Sequence, residues 1–523
     1  MRRLGGIGQT LLALVVTLAV SAGVIAYAQP QVVVGEPLSR RATVRYAAKP
    51  DPPKLRAAAA ALTKPARVDL GEVPAPITVA PQDDPLALSL ALVVSEALIA
   101  SGNPGASAVS VLDADGRVLV DVGATTPLIP ASTAKLVTAA MALATFGPDH
   151  VFTTTAAATA APGQGGVVAG DVVLTGGGDP TLVSRTYVET QIDPERPQTP
   201  IADLADQIVA AGVTRVEGAV IGDPGFLAGG PLADGWPPRY LDDLDATAIS
   251  GLTIDQGFEF VDEGSGLRAR AAADPAAVAA AALVAALAER GVEVVGGSRS
   301  APGGVSDAPA HLGELSSPTL MTLLVRMVQE SDNHIADTVF RAVGRHAAGA
   351  GSFDDAEDVA SEVLAALELD WSTTRLRDGS GLSRESAIPP ALLTALNYRM
   401  TNSTLGEEWQ DLMAVSGVSG TLERRLVGTI AELRLRGKTG SLGDVRSISG
   451  AVVGPDGRPL YVTVTSNALA EPQLDDARRL QDLVVLGLAA ELYGCTEIPP
   501  PPPAPDDPLE PDELPPLPTH TCS

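Results

Sequence analysis

Pro130-Ala131-Ser132-Thr133-Ala134-Lys135-Leu136-Val137-Thr138-Ala139-Ala140 is the stretch around which the chain is organised. Pro130 cannot continue a preceding helix, so the stretch opens as a turn before running into helix formers. On that helix Ser132 and Lys135 lie three residues apart and share one face. A serine hydroxyl with an amine beside it suits an activated nucleophile, and it equally suits an N-cap beside a solvated lysine. Lysine usage bears on the choice. Lysine occurs only at Lys49, Lys54, Lys64, Lys135 and Lys438, and the first three lie in a proline-rich leader. The folded part otherwise uses arginine, which stays charged, whereas a lysine amine gives up its proton when its surroundings depress its pKa.

The whole chain sets wider bounds. Its 523 residues leave room for two or three domains, and 45% hydrophobic residues with 3% aromatics indicate an alanine- and valine-rich globular protein. A net charge of -27 argues against a nucleic-acid partner, because the excess of acidic groups would not neutralise phosphates. Arg2 and Arg3 precede an apolar run over residues 11–28 that ends in Ala26-Tyr27-Ala28, a signal-peptide pattern, with an uncleaved membrane anchor as the alternative. Either way the bulk of the chain is expected outside the cytoplasm. Residues 29–84 read as a Pro/Ala-rich linker, and residues 495–523 as a Pro-rich acidic tail bracketed by Cys495 and Cys522. In an oxidising compartment these two cysteines can close a disulfide loop; the sequence does not test the geometry.

A helix over residues 86–100 and a hairpin over 107–122 come early; strands over 432–438, 445–453 and 459–466 and a helix over 474–492 come late. Together they predict one five-stranded antiparallel sheet flanked by the terminal helices, an α/β sandwich. That catalytic domain is discontinuous, 85–164 and 300–494, and residues 165–299 form an inserted domain.

Two further motifs carry chemistry. Ser331-Asp332-Asn333 lies within a helical pattern over residues 320–343, where serine and asparagine are poor formers that either kink the helix or line a cleft. Lys438-Thr439-Gly440-Ser441 falls near a strand end, and Gly440 would let a ligand approach the strand. Each alone is weak. In combination, S-x-x-K, S-D-N and K-T-G occur in order and take up both core lysines. With Leu174-Thr175-Gly176-Gly177-Gly178-Asp179-Pro180-Thr181-Leu182, Asp378-Gly379-Ser380-Gly381-Leu382-Ser383-Arg384 and Ser419-Gly420-Thr421-Leu422, the chain resembles the penicillin-recognising serine hydrolases. Within them it is most similar to the class C low-molecular-mass D-alanyl-D-alanine carboxypeptidases/endopeptidases of the peptidase S13 type.

That resemblance implies the serine β-lactamase/transpeptidase-like sandwich with a large insertion, and an acyl-enzyme on Ser132 formed from peptidoglycan peptides ending in D-Ala-D-Ala. It makes β-lactams the inhibitors. Lys135 would take the serine proton, its pKa lowered by a Lys438 cation and partial burial. Ser331 would relay a proton to the leaving amine, and Asn333 would orient Lys135. Lys438, Thr439 and Ser441, with Gly440 between them, would receive the terminal carboxylate. The amides of Ser132 and Ser441 would form the oxyanion hole. No cofactor and no metal are expected, and the only membrane contact would be the N-terminal anchor. A Ser-His-Asp triad through His334 and Asp337 lacks a G-x-S-x-G elbow. A β-lactamase would need a deacylating Glu in an E-x-x-L-N loop, absent here, and a non-catalytic wall-binding scaffold would show decayed motifs.

Overall fold

The computed structural model describes residues 67–264, 266–301, 308–498 and 517–522. The export segment, most of the linker and residues 499–516 of the tail lie outside them.

The five expected strands form the centre of one sheet. Its order is Thr78–Val79, Arg117–Val122, Ala106–Leu112, Pro459–Asn467, Val445–Val453, Leu435–Leu442 and Ala414–Val415. The five long strands pair antiparallel, while the two-residue strands extend the edges and Thr78–Val79 pairs in parallel. Helices Pro85–Ala100 and Gln473–Tyr493 cover one face through Leu90, Val94, Leu480 and Val484. The first begins where expected because Asp84 accepts hydrogen bonds from the Leu86 and Ala87 amides and Pro85 needs no partner for a missing N–H.

The other face meets a helical core. Helix Pro390–Thr401 is tied to the sheet by Asn397 donating to Ser449 Oγ (2.9 Å) and Thr394 donating to Thr463 Oγ1 (2.8 Å). Behind it the helix Lys135–Phe146 is buried on every side, against Asn333–Ala348 and Phe353–Ala366. An alanine-rich helix of this kind, with no polar face, belongs in a core, its few polar side chains buried with the rest.

Three expectations need correction. The stretch 67–84 is not a free linker: Val68 N donates to the Ala144 carbonyl, Thr404 N to that of Leu70, and Val68, Leu70 and Ile77 pack on the helical core. The second sheet, ordered Ser298–Ser300, Val220–Asp223, Val172–Thr175, Thr153–Ala158, Ala310–Ser316, takes strands from outside 165–299 at both ends. The two strands from outside that range, Thr153–Ala158 and Ala310–Ser316, pair antiparallel with each other, so the chain leaves and re-enters the body side by side. Helices Ile201–Ala210 and Pro275–Glu289 cover this sheet. Last, the strand carrying Lys438 runs on through Leu442, because the tight hairpin to Val445 pairs every residue from Leu435 to Leu442. Cys495 and Cys522 are disulfide-bonded and directly opposed in a two-stranded antiparallel pair, Cys495–Ile498 with Thr519–Cys522.

Candidate active site

Ser132 sits in a 3-10 turn, Ala131–Ala134, that feeds the helix beginning at Lys135. In a 3-10 turn positions i and i+3 eclipse, so Ser132 and Lys135 are aligned on one face of it. Lys135 Nζ lies 3.0 Å from Ser132 Oγ. It donates to Asn333 Oδ1 at 2.8 Å and to the Ser380 carbonyl at 2.8 Å. Those two oxygens accept only, and each claims an N–H. The third position on nitrogen faces Ser132: an N–H in the ammonium, a lone pair in the amine. Asn333 cannot turn its amide, because Nδ2 donates to the Asp245 carbonyl at 2.9 Å.

Lys135 is wholly buried, and burial lowers its pKa to about 8 against the opposing pull of Asp337, Asp378 and Asp332. Complete desolvation therefore depresses Lys135; the expected repulsion from Lys438 is felt at Lys438 instead. That lysine is also wholly buried and is pushed well below its usual pKa by burial and then by Lys135. Its Nζ donates to the Thr439 carbonyl at 2.7 Å.

The S-D-N motif breaks the predicted helix rather than sitting in it. Helix Leu320–Gln329 ends, Ser331 turns into the left-handed region (φ 64), and Asp332 caps the helix Asn333–Ala348 by accepting from Ile335 N at 2.8 Å. Kinking and lining the site are thus one feature: the break points Asn333 at Lys135. Asp332 pairs with Arg196, from the inserted stretch, at 2.8 Å. Burial opposes its ionisation, but that guanidinium and the Ile335 amide hold its pKa down to about 2. Arg196 also donates to the Pro180 carbonyl, so the Gly176-Gly177-Gly178-Asp179-Pro180 turn steadies the arginine.

Gly440 serves a different neighbour from the one expected. A Cβ there would collide with Ser447 Oγ and come within 2.9 Å of Ser132 N. The glycine admits the Ser132 turn itself. Ser447 Oγ in turn donates to the Pro130 carbonyl at 2.6 Å, fastening that turn to the sheet. Thr439 donates to Thr421 Oγ1 at 2.8 Å, and Ser441 is exposed at the strand's rim.

The part played by Asp337, Asp378 and Trp236 could not be read from the sequence, although Asp378 lies in one of the quoted stretches. Asp378 accepts from the Gly381 amide (2.9 Å), the Ser383 amide (2.7 Å) and Trp236 Nε1 (2.7 Å). Asp337 accepts from the Gly379 and Ser380 amides at 2.8 and 2.9 Å. Together they hold the loop that aims the Ser380 carbonyl at Lys135. Burial raises the pKa of both carboxyls. A triad is thereby ruled out: Asp337 is spent on this loop, and His334 is buried, packed with Nδ1 3.2 Å from Thr247 Oγ1 and held neutral by burial, its pKa near 3.

The family model for the D-Ala-D-Ala carboxypeptidase 3 (S13) family matches residues 96–265 and 262–486. The chain belongs to this family. Carboxypeptidase DacB of Mycolicibacterium smegmatis is 32% identical over 418 residues, covering 77% of this chain and 84% of that protein. A D-alanyl-D-alanine carboxypeptidase of an Actinomadura species is 29% identical over 455 residues, covering 73% and 81%. Among solved structures, penicillin binding protein 4 of Haemophilus influenzae superposes with a TM-score of 0.65 at 19% identity, over 76% of this chain and 99% of that one. At that identity it establishes the shared fold. As a member of the S13 family the chain is a serine-type carboxypeptidase.

Proposed function

We propose that Ser132 is the nucleophile of a D-alanyl-D-alanine carboxypeptidase acting on peptidoglycan stem peptides. The observation that carries this reading is the Lys135 amine, 3.0 Å from Ser132 Oγ with two of its N–H bonds committed to carbonyls. In its neutral form the lone pair accepts the serine proton as Oγ attacks the penultimate D-Ala carbonyl. The amides of Ser132 and Ser441 receive the developing oxyanion. Ser331 passes a proton to the departing D-Ala amine. Water then attacks the acyl ester, with Lys135 again taking the proton, and releases the shortened peptide.

The same acyl transfer cuts a cross-link when the leaving amine belongs to a neighbouring stem, so endopeptidase activity accompanies the same site. β-Lactams acylate Ser132 because their strained amide occupies the position of the scissile bond. Residues 153–316 act as an inserted module that supplies Arg196 and Trp236 to the site. The N-terminal segment directs the chain out of the cytoplasm, by cleavage or as an anchor. Among the described residues no helix is long and apolar enough to cross a membrane.

The test is covalent labelling by a fluorescent penicillin. The wild type is expected to label at one site and S132A not at all; equal labelling of S132A would sink the assignment. Mass analysis of products from wall fragments separates loss of terminal D-Ala from cross-link cleavage.

A further inference from the structure

Lys135 is held by two oxygens, Asn333 Oδ1 and the Ser380 carbonyl, and residues 234–249 of the inserted stretch reach the supports of both. At the first, the Asp245 carbonyl takes the Asn333 amide N–H at 2.9 Å and so fixes where Oδ1 points. At the second, Trp236 Nε1 donates to Asp378 Oδ2 at 2.7 Å, and Asp378 holds the loop that carries Ser380. The stretch is tied down at both ends. Ser383 Oγ donates to the Asp234 carbonyl, and Arg341 Nη1 donates to that of Ile249 at 2.7 Å. Gly235 lies so near the loop that a Cβ would meet Ser383 Oγ at 2.5 Å.

Trp236 differs from the other ties in acting on a charge. Asp378 is fully buried, and its carboxyl takes three N–H donors: the Gly381 amide on Oδ1, the Ser383 amide and the indole on Oδ2. That set suits a carboxylate, which only accepts, as an indole nitrogen only donates. Asp337 receives both its loop amides on Oδ1, and burial with the Asp378 charge pushes its carboxyl well up. The charge of the pair therefore sits on Asp378. Burial raises the pKa of Asp378 as well, and the strongest opposing pull is the indole hydrogen bond. The other ionisable groups around these two side chains are Asp332 at the cap of the helix Asn333–Ala348, Lys438 on its strand, and Tyr240 of the inserted stretch.

We propose that Trp236 is a positioning residue for acylation of Ser132: its indole N–H holds Asp378, and through it the Ser380 carbonyl, in the arrangement that Lys135 needs. This rests on the peptidase reading above. The inserted stretch is thereby a support of the general base. Without the indole N–H, Asp378 takes up a proton, and the negative charge near Lys135 is lost. The ammonium form of Lys135 is then less favoured, so its proton leaves at lower pH.

The experiment follows Lys135 directly. Lysine is rare enough in this chain that protein isotopically labelled at lysine Cε resolves each one by NMR, and the signal missing from K135M is Lys135. Its titration midpoint is expected about one pH unit lower in W236F than in the wild type, the scale of one nearby charge, and the limb of the penicillin acylation profile is expected to move with it. Replacing the indole by its benzothiophene counterpart keeps the shape and deletes only the N–H. The same shift is expected there, and this variant decides where W236F does not fold. A midpoint unchanged or raised overturns the proposal even if acylation is slower, because lost packing alone does not move it. A wild type that penicillin does not label sinks the peptidase reading instead, and the Lys135 midpoint still decides the role of Trp236.

Discussion

Lys135 and Lys438 are two amines taken fully out of water, and neither keeps its proton as a surface lysine does. For Lys135 the consequence is a base near the physiological range. In the proposed mechanism it must be neutral to accept the Ser132 proton, so the rate constant for penicillin acylation is expected to rise with pH through about 8 and level off above it. A limb near the ordinary lysine value would show that the site does not depress it. Stability follows the opposite preference. The folded state disfavours the charged lysine, so the penalty is absent above the unfolded pKa of 10.5, grows as pH falls, and is complete below about 8. That difference corresponds to roughly 3 kcal/mol. K135M is therefore expected to stabilise the protein by about 1–3 kcal/mol at pH 7, some of the gain being offset by the stranded Ser380 carbonyl, while abolishing acylation. Urea unfolding at pH 7 and pH 10.5 checks both parts: a loss of stability at pH 7 would mean that the three contacts of Lys135 outweigh its desolvation.

Gly440 and Ser331 act at the scale of elements, setting where one element meets the next. The Lys438 strand and the Ser132 turn touch through a glycine whose added methyl would press on Ser132 N and Ser447 Oγ. G440A is expected to cost about 1–3 kcal/mol of stability and on the order of a hundred-fold in acylation, because a shift of the turn misaligns Oγ with both base and oxyanion donors. An acylation rate within two-fold of wild type would show that the turn gives way freely. Ser331 makes the corresponding break between two helices. The apolar rhythm of residues 320–343 continues across it, so periodicity alone reads one helix. The left-handed φ at Ser331 and the Asp332 cap are local features, but what makes them an end rather than a kink is Arg196, 136 residues away, holding Asp332.

Across the whole molecule, the inserted stretch is bound into the catalytic body by buried guanidinium groups. Arg196 meets Asp332, and Arg341 donates to the Gly351, Ile249 and Ala228 carbonyls at 3.0, 2.7 and 2.7 Å. Removing one side of the first pair leaves a buried charge. R196A is expected to cost about 3–5 kcal/mol in urea unfolding and to slow acylation through Asn333, with D332N in the R196A background recovering part of the stability. A loss below 1 kcal/mol would mean that water reaches Asp332. The sequence by itself determined the spacing of the proposed Ser132–Lys135 pair, the order of the three motifs, the family and the five long strands. Those rest on spacing, on β-branched alternation, and on lysine being rare enough in this chain for its two core positions to stand out. Tertiary structure alone decided which groups tune that pair. Asp337, the Asp378–Ser380 loop, Trp236 and Arg196 come from separate segments and carry no common period. It also decided that Gly440 faces Ser132 and that Arg446 faces Ser441, since close approach and cross-strand register exist only once the sheet has formed. Burial, not any neighbour in the sequence, sets the pKa of Lys135, and burial is a property of the folded chain.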